Sequence, residues 1–179
     1  MARYALAAGM ALLLASNIVL LRANHNLAAA YYDLRGQMLL PAGYHAPTLR
    51  GKFPDGRDAA LAYGIDRRYT ILLVYSPACP ICEDNWDNWD EIINRSDSSV
   101  RIAAVDLSNI TRPDYISAHK MERMPIIQHL DAASMLDYRL RKTPETIVID
   151  PVGAVVGSWI GALDKKAVRE ILAAPRSGQ

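Results

Sequence analysis

The stretch "TILLVYSPACPIC", Thr70–Cys82, joins an unbroken apolar run to the only two cysteines of the chain. Thr70–Ser76 is apolar and β-branched without alternation, the pattern of a strand buried on both faces. The continuation "CEDNWDNWDEIINR" carries Trp86, Trp89, Ile92 and Ile93 near helical spacing, so a strand, a short turn and a helix follow one another. Cys79 then falls at the helix start, and Pro80 takes the first helical position, where its missing N–H costs nothing. Free backbone N–H groups and the helix dipole favour a thiolate there. Such placement lowers a cysteine pKa from about 8.5 into roughly the 3.5–7.5 range. Cys79 is the expected nucleophile. Cys82 lies on the same helical face and is placed to resolve a mixed disulfide on Cys79.

Other uses of the pair are weaker. Zinc needs four ligands, and His119 and His129, the histidines available in the body of the chain, lie at longer spacing than finger patterns use. No metal is expected. A purely structural disulfide would close too short a loop to add much stability. Glu83 and Asp84 suit the dipole in the first turn but oppose a thiolate on Cys79. Read plainly they are solvated acids; Glu83 is also the candidate for handling the proton of Cys82. The spacing of Trp86 and Trp89 favours core packing over a substrate platform.

Outward from this centre, "FPDGRDAAL" predicts a hairpin turn at Asp55-Gly56 leading into a strand. "VRIAAVDLS" (Val100–Ser108) is a second buried strand, "RPDYISAHKME" a helix with Pro113 near its start, "IIQHLD" a short strand and "SMLDYRL" a short helix. "TPETIVIDPVGAVVGSWIG" gives two strands around a turn with Gly153 at positive φ, and "LDKKAVREILAA" closes with an amphipathic helix begun by Leu163 or Asp164. Strands alternating with helices predict an α/β fold, a mixed sheet with helices on both faces. In "KTPET", Lys142–Thr146, a proline stands directly before a buried strand, where it has no N–H to give the ladder. A cis Thr143–Pro144 bond in a tight turn accounts for it; a trans proline that starts the strand is the other reading.

The chain has 179 residues, 51% of them hydrophobic, and a formal net charge of +1. That is length for one domain and an appendage, with no basic stripe to bind nucleic acid. Tyr4–Leu21 carries no charged residue and approaches the ~20 residues that span a bilayer as a helix. A cleaved signal peptide and a buried core helix compete with a single-pass anchor, which the length and uniform apolarity fit best. The expected division is an anchor over residues 1–22, a helical stalk or linker over 23–40 and a domain over 41–179. The expected orientation puts the N-terminus inside and the domain outside. Pro41–Asp58, rich in Gly and Pro, reads as turns and short extended pieces.

From about Tyr69 to Ala174 the chain resembles the thioredoxin superfamily. "TILLVYSPACPIC" matches its strand–CxxC–helix entry, and "KTPETIVIDPVGAVVGSWIGALDKKAVREIL" its cis-proline, hairpin, glycine and last helix. "YHAPTLRGKFPDGRDAAL" looks like the entry of the TlpA/ResA-like redoxin branch, in which a preceding membrane anchor is common. The resemblance implies a thioredoxin-like fold, with Cys79 attacking, Cys82 resolving, and the two forming a redox-active disulfide. Pro144 would lie against that disulfide, and the Thr143 backbone would pair with a substrate chain. Gly161 would be the glycine ending the last strand. Leu73 stands where thioredoxin has a buried Asp, Ala78 where it has Trp, and Asp87 where it has a kinking proline.

The implied activity is thiol–disulfide oxidoreduction without a cofactor. The branch reduces protein disulfides, those of apocytochrome c included, so the implied partners are a disulfide-bearing protein, a membrane electron donor and, through residues 4–21, the lipid bilayer. The implied place is the bacterial cytoplasmic membrane, facing the periplasm or exterior. Two alternatives stand beside it. One is a peroxiredoxin-type thiol peroxidase, suggested by Ser76 ahead of Cys79, although Leu72 replaces that family's proline. The other is a non-enzymatic thioredoxin-fold adaptor.

Overall fold

The computed structural model describes residues 2–176, with the backbone alone at 2–8, 11, 28–29 and 31–37. It divides into two units, Met1–Met38 and Leu39–Gln179. The first is one helix, α1 (Ala2–Met38), which takes in both the apolar stretch and the residues after it. Among the described residues no helix is long and apolar enough to cross a membrane. The spanning helix expected over Tyr4–Leu21 is therefore not shown. Tyr4–Ala8 and Ala11 lie outside the described side chains.

The second unit runs β1 (Leu49–Lys52), β2 (Asp58–Leu61), β3 (Tyr69–Tyr75), α2 (Pro80–Arg95), β4 (Val100–Asp106), α3 (Pro113–Ala118), β5 (Ile126–Ile127), α4 (Ala132–Asp137), β6 (Glu145–Ile149), β7 (Val155–Ile160) and α5 (Lys165–Ala173). A five-stranded sheet has the order β5-β4-β3-β6-β7. Central β3 pairs parallel with β4 over its whole length and antiparallel with β6, which explains its continuous apolar run. The two faces of β3 feed two cores. Ile71, Leu73 and Tyr75 meet Trp86, Trp89 and Ile92 of α2 and Val168, Ile171 and Leu172 of α5. Leu72 and Val74 face Leu49 and Leu61 of the β1–β2 hairpin, with Tyr138 and Leu140 beyond α4.

The sequence leads one to expect helices on both faces, and the second face is covered mainly by that hairpin, with the short α4 beside it. Gly51 makes this possible. A Cβ there would lie 2.7 Å from the Gln128 carbonyl oxygen, so only glycine lets β1 approach the end of β5 closely. Backbone bonds between Lys52 and Gln128, 2.7 and 2.8 Å, close the contact. Helix starts follow their capping residues. Asp164 accepts from Ala167 N at 2.7 Å to open α5, and Asp131 accepts from Ser134 N at 2.7 Å to open α4.

Candidate active site

The dithiol sits where β3 ends and α2 begins. Cys79 N donates to the Ser76 carbonyl at 3.0 Å, and Ala78 N donates to Ser76 Oγ at 3.2 Å, which tightens the turn out of the strand. Cys79 is then the N-cap of α2, extended at φ −100°, with Pro80 in the first turn. Cys82 N donates to the Cys79 carbonyl at 3.0 Å, which sets the two cysteines one turn apart. Both are free thiols; Cys79 is half-buried and Cys82 fully buried.

The Thr143–Pro144 peptide is cis, and it comes to the sulfur: Cys79 Sγ lies 3.5 Å from the Thr143 carbonyl oxygen. The register that brings it there is β6 against β3, Val74 opposite Glu145. Gly161, at φ +92°, donates its N–H to the Pro144 carbonyl at 2.8 Å and ties the end of β7 to the same turn. Burial alone would push the Cys79 thiol up. The Thr143 side chain, the Cys82 thiol and the N–H groups of Cys82 and Ile81 outweigh it, and hold Cys79 below its ordinary value. The Thr143 carbonyl accepts the thiol proton, and the Thr143 side chain favours the thiolate. Cys82 goes the other way, pushed up to about 12 by burial first and then by its neighbour Cys79.

Leu73 lies in the same core as Cys82, so that strand offers no acid on the cysteine's side. A buried carboxyl does exist, at Glu145, directly after Pro144 and 1% exposed. Directly opposed antiparallel residues share a face, and Glu145 opposes Val74, which belongs to the core on the far side of the sheet. Its Oε1 has no hydrogen-bond partner, and burial raises its pKa to about 8.

Glu83, the sequence candidate for proton transfer, turns toward α3. Its Oε1 accepts from the Tyr115 hydroxyl at 2.9 Å, and its Oε2 lies 3.3 Å from His119 Nε2. Tyr115 in turn accepts from Trp86 Nε1 at 2.9 Å. Trp86 and Trp89 are buried, as core packing requires, and Trp89 Nε1 donates to Thr146 Oγ1 at 2.9 Å.

The β4–α3 loop beside the dithiol is built on Asp106, fully buried. It accepts from the N–H and hydroxyl of both Ser108 and Thr111, and from the Ile110 N–H. This loop and α3 wall a groove of about 970 Å³ whose other lip is Pro77 and Ala78, next to Cys79. Asp106, Tyr115 and Glu145 have no assigned role in the sequence reading, and His119 is weighed there only as a zinc ligand. Of these, Glu145 leaves a local trace, a lone charge at the head of an apolar run. His129 stands apart: its N–H binds Asn109 Oδ1 at 2.5 Å. Among the described residues no cluster of His, Cys, Asp and Glu could hold a metal ion.

No protein-family model matches the chain, and no curated protein matches it. Solved structures do. The thioredoxin domain of a thiol-disulfide oxidoreductase from Bacteroides vulgatus is similar at TM-score 0.59 and 17% identity, over 75% of this chain and 97% of that one. A thiol:disulfide interchange protein of the thioredoxin family from Chlorobium tepidum gives 0.59 and 16%, over 76% and 98%. A peroxiredoxin-like protein from Aquifex aeolicus gives 0.60 and 15%, over 77% and 87%. The chain has the thioredoxin-like fold that these share.

Proposed function

We propose that this chain is a membrane-tethered thiol–disulfide oxidoreductase that reduces disulfides in partner proteins. The observation that carries this reading is the asymmetric dithiol: Cys79 is accessible, held below its ordinary pKa and in contact with the cis-proline turn, while Cys82 is buried beside it as a thiol. The Cys79 thiolate attacks one sulfur of the partner disulfide. A Cys79–partner bond forms, and the partner's other sulfur leaves as a thiolate and takes a proton. Cys82 then loses its proton and attacks Cys79 Sγ. The Cys79–Cys82 disulfide forms and the second partner thiol departs. Two electrons and two protons have passed to the partner. A dithiol donor in the membrane returns the pair to its reduced form.

Thr143 and Pro144 are the proposed platform for the substrate chain. The exposed apolar side chains of α1, Met10 and Leu12–Leu14 and Ile18–Leu21, support a membrane tether. Placement facing the periplasm or exterior follows from that tether and from the oxidised state of protein cysteines in such compartments. Apocytochrome c cysteines are the substrate that the likeness to the redoxin branch suggests.

Trapping tests the reading. In the Cys82→Ala variant, a partner disulfide should remain bonded to Cys79 and be recovered as a mixed disulfide by mass spectrometry; no adduct with any disulfide protein removes it. The likeness to the peroxiredoxin-like structure favours a second reading, a thiol peroxidase. Rapid peroxide consumption by the reduced chain would select it.

A further inference from the structure

α3 forms a wall of the groove beside Cys79, yet none of its residues is fully buried. A helix so short and so lightly packed belongs to the part of a fold that opens at low cost. What holds it is one polar and aromatic cluster. Glu83, next in sequence to Cys82, receives Tyr115 Oη on one carboxylate oxygen and faces His119 Nε2 on the other. The His119 ring stacks on Trp86 at 4.3 Å between centroids, and Tyr115 stacks on Tyr75 at 5.7 Å. The Thr111 hydroxyl hydrogen goes to Asp106, so Tyr75 Oη donates to Thr111 Oγ1 at 2.6 Å, which carries the contact into the Asp106 loop.

Charged groups of both signs line a cavity together with His119: Asp90 of α2, Asp97 of the following loop, and Lys120, Glu122 and Arg123 beyond α3. Only Glu83 is in direct contact with His119 as an ion pair among the described residues.

We propose that His119 is a positioning residue of the dithiol site: through Glu83 and Tyr115 it holds α3 as the wall of the groove beside Cys79. The inference rests on the exchange reading above. The groove's occupant is the polypeptide that carries the disulfide under attack, because the lip of the groove is the Pro77–Ala78 segment leading into Cys79.

The test is steady-state reduction of a disulfide-bonded peptide by the full chain at pH 7. Iodoacetamide alkylation of Cys79 is followed alongside. In His119→Gln, KM should rise roughly three- to fivefold, the span of a half-exposed polar pair, while kcat and the alkylation rate follow the wild type. Glu83→Gln keeps an acceptor for Tyr115 and removes the carboxylate that faces His119, so its KM should rise by a similar factor. Variants whose KM equals that of the wild type, or whose kcat and alkylation rate fall with it, overturn the inference while exchange itself survives. Absence of turnover in the wild type removes the reading beneath both.

Discussion

Cys79 and Cys82 share one turn of helix and differ in almost everything that governs a thiol. Donors surround the first sulfur and apolar side chains the second. A pKa held down means that the Cys79 thiolate survives to lower pH than a free cysteine. Iodoacetamide at pH 7 should therefore modify Cys79 first, and leave Cys82 intact while the fold persists, as peptide mapping would show. Thr143→Val keeps the carbonyl and removes the hydroxyl. It should slow Cys79 alkylation severalfold at pH 7, with the titration midpoint moved up.

Glu145 carries the opposite sign. Its folded pKa, about 8, lies above the ordinary carboxyl value, so the stabilisation of its neutral form is complete in acid and is lost as pH rises toward 8. The slope is at most about 1.4 kcal/mol per pH unit. Urea unfolding at pH 5 and pH 7.5 should show a fall for the wild type of which about 2–3 kcal/mol is absent in Glu145→Gln. Equal falls in both proteins would refute this.

At the scale of elements, what the sequence reveals depends on how far apart the interacting residues are. β3 is readable because burial on both faces leaves no polar position to alternate with, and the start of α2 because Pro80 fits the first turn of a helix and little else. The strands around Gly153, the Asp164 cap and the turn at Asp55-Gly56 are local for the same reason; Gly153 and Gly56 have φ +91° and +86°. The cysteines and the Thr143–Pro144 turn could be named from the sequence; the local residues left cis and trans open, the resemblance implied cis, and the bond is cis.

The hidden parts are tertiary. Tyr115 reaches Glu83 across a sequence separation of 32, and Trp89 reaches Thr146 across 57. Nothing near either residue announces the pairing. The hairpin covering the second face is hidden likewise, because Gly51 matters only once Gln128 is opposite it. Gly51→Ala puts a Cβ against a backbone oxygen that has no rotamer to escape through. It should destabilise the domain by about 1–3 kcal/mol in urea unfolding, with the dithiol chemistry retained. Trp89→Phe leaves the buried Thr146 hydroxyl without its donor, and should cost about 1–3 kcal/mol in the same measurement.

For the whole molecule, the division at Leu39 has a direct consequence. Leu39–Gln179 contains both cores, the five-stranded sheet and every site residue, so a fragment of residues 39–179 should fold and retain the Cys79 alkylation profile. The full chain should float with liposomes and the fragment should not; equal partitioning would remove the tether from the account. The central claim is thiol–disulfide exchange at one cysteine pair, and equilibrium with defined mixtures of reduced and oxidised dithiothreitol tests it most directly. The full chain should pass reversibly between two states with a two-electron dependence, and mapping should find the Cys79–Cys82 disulfide in the oxidised one. A chain that stays reduced in every mixture, or that oxidises only irreversibly, would contradict it.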